Sequence, residues 1–201
     1  MNYLAHTYLS GSDDELKLGN FLGDFVKGRV GKYTGLGVTE RVRQGIRLHR
    51  AIDSFTDQHP IFRRSKSRLV PRYGLLSGVI VDLFYDHFLA VDWAGFSPQP
   101  LPEFSRQFYE LLHKNILRLP PEMHRMVEAM STYNWLAEYA RIKGVEQSLK
   151  GLAQRVPAAS GIGTAGEELS RNYAEFQEDF REFFPELRLF CRNFIHEFPS
   201  N

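Results

Sequence analysis

Residues 45–57 read GIRLHRAIDSFTD. Together with Val42 just ahead, they set Val42, Ile46, His49 and Asp53 three or four positions apart, which is one face of an α-helix. That face begins apolar and turns polar without leaving the stripe, as a plain core helix does not. A carboxylate turned inward is costly to bury unless a cation, a hydrogen-bond network or a metal ion meets it. Asp57, one further turn along, could join Asp53. The bland alternative makes His49 a hydrogen-bonded core histidine and pairs Asp53 with one of the many arginines.

The helical period extends outward in both directions. Ser12 and Glu15 form a capping-box pattern ahead of an apolar segment with Leu16, Leu18, Phe21, Leu22 and Phe25, and Asp24 lies inside it. The glycine-rich stretch from Gly28 to Gly37 breaks that helix. Thr39 is the expected cap of the next, which runs to about Thr56 and ends by His59 and Pro60. A polar basic segment, RRSKSR, leads to Pro71 and Gly74, and Leu75 to Val91 reads as a buried apolar helix interrupted by acids. Gly95 to Pro102 is a loop, and Phe104 to Leu117 an amphipathic helix stopped by Pro120 and Pro121. Met123, Met126, Val127 and Met130 continue through Trp135, Leu136 and Tyr139 as a core stripe. Ala158 to Gly166 is expected to be a mobile loop, and a last long helix carries Phe176, Phe180, Phe183 and Phe184 before Pro185. No stretch alternates like a strand. The expected class is therefore all-α, a compact helical bundle formed by residues 1–201 as one domain.

With 43% hydrophobic and 24% charged residues, the chain has the balance of a globular protein. Cys191 is the single cysteine, which excludes an intrachain disulfide and a thiolate metal cluster and suits a reducing, cytoplasmic setting. The N-terminal segment does not read as a signal peptide, and no run approaches the roughly 20 apolar residues of a membrane span. Net charge is +1, but residues 1–80 hold 13 basic against 7 acidic residues, and residues 81–201 hold 12 against 17. Such an asymmetry favours an acidic partner. Nucleic acid is not expected, because RRSKSR lacks interleaved aromatics for base stacking. Nothing in the sequence reports oligomeric state.

A second cluster, VDLFYDHF at residues 81–88, places Asp82 and Asp86 at i, i+4 in a hydrophobic helix, with His87 beside the second. Two carboxylates on one face repel unless a positive charge lies between them. Arg47 or Arg50 could supply it, and so could a divalent metal. Asp24 is a third acid in an apolar helix, and His6 is a histidine in the apolar N-terminal segment. Acids and imidazoles on the apolar faces of several helices are the donor set of hard-metal coordination inside a bundle, as for manganese, iron or magnesium. Such a metal acidifies water and screens phosphate charge, which suits phosphoester hydrolysis. The stretch GRVGKYTG lacks phosphate-loop spacing.

The segments MNYLAH, GNFLGDFVKG, GIRLHRAIDSFTD and YDHFL, in that order, resemble the bacterial acyl carrier protein phosphodiesterases, with weaker similarity through YNWLAEYA. The resemblance covers most of the chain. It implies hydrolysis of the phosphodiester joining 4′-phosphopantetheine to a serine of holo acyl carrier protein, in fatty acid and lipid metabolism. It also implies a manganese ion or a similar divalent ion such as Mg2+ or Fe2+. The family is regarded as a distorted branch of the HD phosphohydrolases, whose signature contains a His-Asp pair. This chain has Asp86-His87 in the reverse order, and His49 is followed by Arg50. Carried over by position, the metal and catalytic residues are Asp24, His49, Asp53 and Asp86, with His6, Asp57, Asp82 and His87 as further candidates. Because acyl carrier proteins are acidic, Arg41, Arg43, Arg63, Arg64, Lys66 and Arg68 are the expected docking cations.

Two other functions are compatible with the same residues. One is an HD-type phosphohydrolase acting on a nucleotide or small phosphoester. The other is a non-catalytic helical module that binds an acidic partner, with its buried acids in structural ion pairs.

Overall fold

Thr39 opens the helix to which residues 45–57 belong: its Oγ1 accepts the Val42 backbone N–H at 3.1 Å, and α3 runs Glu40–Gln58. The computed structural model describes residues 1–35, 37–155 and 161–198. Among these there is no strand, and the chain is all-α. In order follow α1 (Tyr3–Leu9), α2 (Asp14–Leu22), α3, α4 (Pro60–Tyr73), α5 (Ser77–Val91), α6 (Leu101–Lys114), α7 (Pro121–Thr132), α8 (Trp135–Glu138), α9 (Ile142–Arg155), α10 (Gly166–Arg171) and α11 (Tyr173–His196).

Two glycines set how closely α2 and α3 approach. A Cβ on Gly19 would lie 2.0 Å from the Val42 carbonyl oxygen, and one on Gly45 would lie 2.4 Å from that of Leu16. The two backbones therefore touch, as only Gly permits. This crossing carries Asn20 and the segment just beyond α2 against the His49 face of α3.

The core centres on α5, whose Ile80, Val81, Phe84, Tyr85, Phe88 and Leu89 are fully buried. Phe176, Phe180 and Phe183 of α11 meet it edge-on or tilted, against Phe84, Tyr85 and Phe88. Such ring pairs add to burial through their quadrupoles. By length and composition alone, residues 60–91 could cross a membrane, but most of the apolar window is buried against other helices and Gly74 interrupts the run at φ +54. That is the signature of core helices.

Several boundaries differ from expectation. The cap of α2 is Asp13, which accepts the Leu16 N–H at 3.0 Å, while Glu15 instead pairs with Arg118 at 2.6 Å. RRSKSR is not a connecting segment but the body of α4, entered through Pro60 in the first turn, where a missing N–H is harmless. Its cations are largely spoken for. Asp179 of α11, buried, accepts from Arg64 at 2.6 Å, Ser65 at 2.5 Å and Arg68, clamping α4 to α11. Arg41 pairs with Asp13 at 2.7 Å and Arg43 with Glu40 at 3.5 Å. Helix α11 continues through Pro185, held by Leu187 and Cys191 in the core beyond it. The stripe from Met123 is split by Asn134, whose left-handed backbone (φ +46) separates α7 from α8. Of the expected mobile loop, residues 158–160 lie outside the described residues, 162–164 form a 3-10 turn, and Gly166 begins α10.

Candidate metal centre

Three segments converge on the middle of α3. His49 projects from α3 with Asp53 one turn later, His6 comes from α1, and Asp24 follows Gly23 just beyond α2. The imidazoles of His6 and His49 stack, with centroids 4.3 Å apart and planes 23° from parallel. His6 Nε2 lies 3.2 Å from Asp53 Oδ1, and His49 Nε2 lies 3.1 Å from Asp53 Oδ2 and 3.3 Å from Asp24 Oδ1. One donor atom from each of His6, His49 and Asp53 falls within a 4.8 Å span. On the opposite ring edges, the two Nδ1 atoms share Asn20 Oδ1, at 2.8 Å from His6 and 3.2 Å from His49.

Burial differs sharply within this group. Both imidazole side chains are 7% exposed, whereas the carboxylates of Asp24 and Asp53 are 50% and 45% exposed. The rings form a dry floor and the carboxylates a wet rim, so the Nε2 edges face an opening to solvent. Burial opposes the charged form of His49, but its hydrogen bonds to Asp24 and Asp53 outweigh that and raise its pKa to about 9. Burial dominates at His6 and lowers its pKa. Asp24 and Asp53 are lowered despite burial, through the adjacent histidines. The donor set tests well against a divalent ion. Two imidazole nitrogens and two carboxylates are the mixed nitrogen and oxygen ligands that Mn2+, Fe2+ and similar ions accept. A 20 Å³ space bounded by His6, Asn20, Asp24 and His49 has room for one water-sized group.

The other anticipated residues stand elsewhere. Asp86 is fully buried and accepts the backbone N–H groups of Asn2, Leu4 and Ala5 at 3.3, 2.7 and 3.2 Å, so it caps the N-terminus of α1 across the bundle. Asp82 lies 2.8 Å from the amino group of Met1. His87 Nδ1 is 2.7 Å from the Tyr139 carbonyl oxygen and its Nε2 is 3.0 Å from the Tyr173 hydroxyl, with both ring nitrogens engaged inside the fold. Asp57 is exposed toward the end of α3. Asn20 was not singled out from the sequence. It lies in α2, four residues before Asp24 in the same apolar stretch of sequence, and a polar amide at that spacing is the signal that could have found it.

Beside the cluster lies a cavity of about 560 Å³, lined by Tyr3, Asp24, Asp82, Leu83, Trp135 and Tyr139 among others. Asp24 borders both this cavity and the small space at the imidazoles.

Comparison with known proteins bears on this arrangement. A family model described as acyl carrier protein phosphodiesterase matches residues 1–187. Among curated relatives, the acyl carrier protein phosphodiesterase of Photorhabdus laumondii is 30% identical over 187 residues, covering 92% of each chain. That of Enterobacter sp. strain 638 is 30% identical, covering 96% of this chain and 98% of its own. The Serratia proteamaculans protein of the same name is 30% identical, covering 93% and 95%. No solved structure matches.

Proposed function

The chain belongs to the acyl carrier protein phosphodiesterase family, and from that premise we propose that it hydrolyses the phosphodiester between 4′-phosphopantetheine and a serine of holo acyl carrier protein, with a divalent metal held by His6, Asp24, His49 and Asp53. The products are the apo carrier and 4′-phosphopantetheine. Water oxygen ends on phosphorus, the bond from phosphorus to the serine oxygen breaks, and one proton passes to that oxygen.

The observation that carries the reading is the double role of Asp24, which belongs both to the donor cluster and to the wall of the 560 Å³ cavity. A substrate arm lying in that cavity would bring its phosphate end to the cluster. The aromatic and aliphatic walls, Tyr3, Leu83, Trp135 and Tyr139, suit the methyl and methylene groups of the extended arm, and Asn2, Asp82 and Gln147 offer polar contacts to its amides and hydroxyl. A bound divalent ion, manganese or a close analogue, supplies Lewis-acid neutralisation of phosphate charge and acidifies water. The chain's own residues do the rest. Asp24, ionised at neutral pH and half-exposed, accepts a hydrogen bond from the attacking water at its carboxylate. Asp53 bridges the two imidazoles and fixes the spacing of their Nε2 atoms. The buried rings keep bulk water from the inner side of the site. A cytoplasmic setting in fatty acid and lipid metabolism is part of the same reading.

Intact mass spectrometry of holo acyl carrier protein, incubated with the protein plus manganese and again with a chelator, tests this directly. Manganese-dependent loss of the phosphopantetheine mass is expected. An unchanged carrier under both conditions, with the protein shown to be folded, would overturn it.

A further inference from the structure

We infer that the cationic loop from Lys27 to Gly35 is the surface on which the acidic face of the carrier protein docks, with Lys27, Arg29 and Lys32 as its contact charges. The identity of the partner rests on the proposed hydrolysis, which this assignment deepens by giving the protein half of the substrate a place to sit.

Lys27, Arg29 and Lys32 are exposed, and among the described residues none of their side chains makes an ion pair or a hydrogen bond. They border an open groove of about 530 Å³ formed by residues 27–29 and 32–35, with no acid among them. Like charges set this close repel one another, and an anionic partner turns that repulsion into attraction. The cations first expected to dock the carrier are mostly engaged within the fold. Arg41 pairs with Asp13, Arg43 with Glu40, and Arg64 and Arg68 with Asp179. Arg63 donates to the Asp57 carbonyl at 3.1 Å, which leaves Lys66.

The loop is held by the same helix that builds the metal centre. It begins three residues after Asp24, so the Cα atoms of Lys27 and Asp24 lie within about 11 Å of each other. Arg50, the neighbour of His49 on α3, donates to the carbonyls of Val26 and Gly28 at 2.7 and 2.8 Å. Arg43, also on α3, reaches the Tyr33 carbonyl at 3.3 Å, and buried Val30 pins the 3-10 turn Val30–Lys32 between these anchors. A backbone fixed in this way presents its charges with little ordering cost on docking. The groove shares no lining residue with the 560 Å³ cavity. A phosphodiester at the cluster, with its arm in that cavity, leaves its serine side and the attached protein for the surface around the cluster, where this loop lies. No residue lining the groove is buried. The charges therefore suit carboxylates spread over a protein surface rather than one enclosed phosphate.

Apo acyl carrier protein has no arm to seat or cleave, so its binding reads this surface apart from catalysis. The test is calorimetry of apo carrier with the wild type, with a Lys27→Gln, Arg29→Gln, Lys32→Gln triple variant and with Lys66→Gln, at low and at high ionic strength. Wild type should bind, and more weakly at high ionic strength. The triple variant should lose affinity about tenfold at low ionic strength, as three exposed ion pairs of ordinary strength imply, together with most of the salt dependence. Lys66→Gln should bind like wild type. Undetectable or salt-independent binding by the wild type would overturn the assignment, as would wild-type affinity in a folded triple variant or an equal loss in Lys66→Gln. Salt-sensitive binding of a single-stranded oligonucleotide through the same three residues, without carrier binding, would overturn it in favour of nucleic acid. Apo carrier bound through the loop, with holo carrier left intact in the mass-spectrometric assay, would instead sink the hydrolysis and uphold the docking surface.

Discussion

A Cβ built on Gly23 would lie 2.1 Å from Cγ of His49, so the imidazole occupies the space that any side chain at position 23 would need. The neighbour that must give is a ring already held by Asn20, Asp24 and Asp53. Gly23→Ala should displace that ring and lower turnover by about 100-fold, the scale on which ångström misplacement acts. The fold should survive with a loss on the order of 1–3 kcal/mol. Steady-state kinetics with holo carrier and a thermal melt check both halves; wild-type turnover would show that the ring can move without consequence.

Asp24→Ala and Asp53→Ala each remove a carboxylate from the rim of the site. Both side chains are about half exposed, so neither change leaves a large buried cavity. Turnover should be abolished in both while helix content by circular dichroism stays near wild type. Mn2+ affinity should fall further in Asp53→Ala, because Asp53 meets both imidazoles and Asp24 only one. Full activity in either variant would remove that residue from the proposed site.

Asp86 separates a structural carboxylate from a ligand. Burial pushes its pKa to about 7, against the pull of the amino terminus and three backbone N–H groups. Asp86→Ala leaves those N–H groups of Asn2, Leu4 and Ala5 without an acceptor. Each such buried group costs about 1–3 kcal/mol, so the melting temperature should drop by several degrees. Asp86→Asn keeps an oxygen to accept from α1 and should bind Mn2+ close to wild type. A large loss of affinity in a fully folded Asp86→Asn protein would return Asp86 to the coordination sphere.

In the metal-free protein, the pKa of His49 is raised from 6.5 to about 9. A group raised on folding contributes stability that is complete below its unfolded pKa and is lost as pH climbs through the folded value. The melting temperature measured with chelator should therefore decline between pH 7 and pH 10, and His49→Gln should flatten that decline. Mn2+ binding runs the other way, since the ion must displace the same proton. Its affinity should rise with pH up to about 9. Parallel slopes with and without Mn2+ would mean that the ion and the proton do not compete at His49.

How much of this was legible in the sequence depends on whether the cause was local. The α3 stripe, the Thr39 cap and the apolar α5 follow from neighbours within a turn or two, and the class could be read from them. His6, Asp24, His49 and Asp53 stood out as polar residues on apolar faces, and the structure brings the four together. Asp86 has the same pattern and a different fate. Its partners are N–H groups of another helix more than 80 positions away, which no local period reports. The basic run of α4 reads as a solvated docking face until Asp179, 115 residues downstream of Arg64, is seen beneath it. Asn20 is neutral and so escaped a search guided by charge.

The cavity can be filled without touching the donor cluster. Gly151 lies on α9 along its wall, and a Cβ there meets nothing within 4 Å. Its backbone is helical, so a side chain adds no strain, and Phe in place of Gly within a helix should stabilise the fold by about 0.3 kcal/mol. Gly151→Phe should therefore raise the melting temperature slightly while obstructing the groove assigned to the pantetheine arm. KM for holo carrier should increase roughly tenfold, about 1.4 kcal/mol of lost binding. Hydrolysis of a small phosphodiester such as bis(p-nitrophenyl) phosphate, which has no arm to seat, should continue at the wild-type rate. That split isolates the cavity from the metal centre, because damage to the cluster would slow both substrates. An unchanged KM for the carrier in a folded Gly151→Phe protein would place the arm outside this cavity.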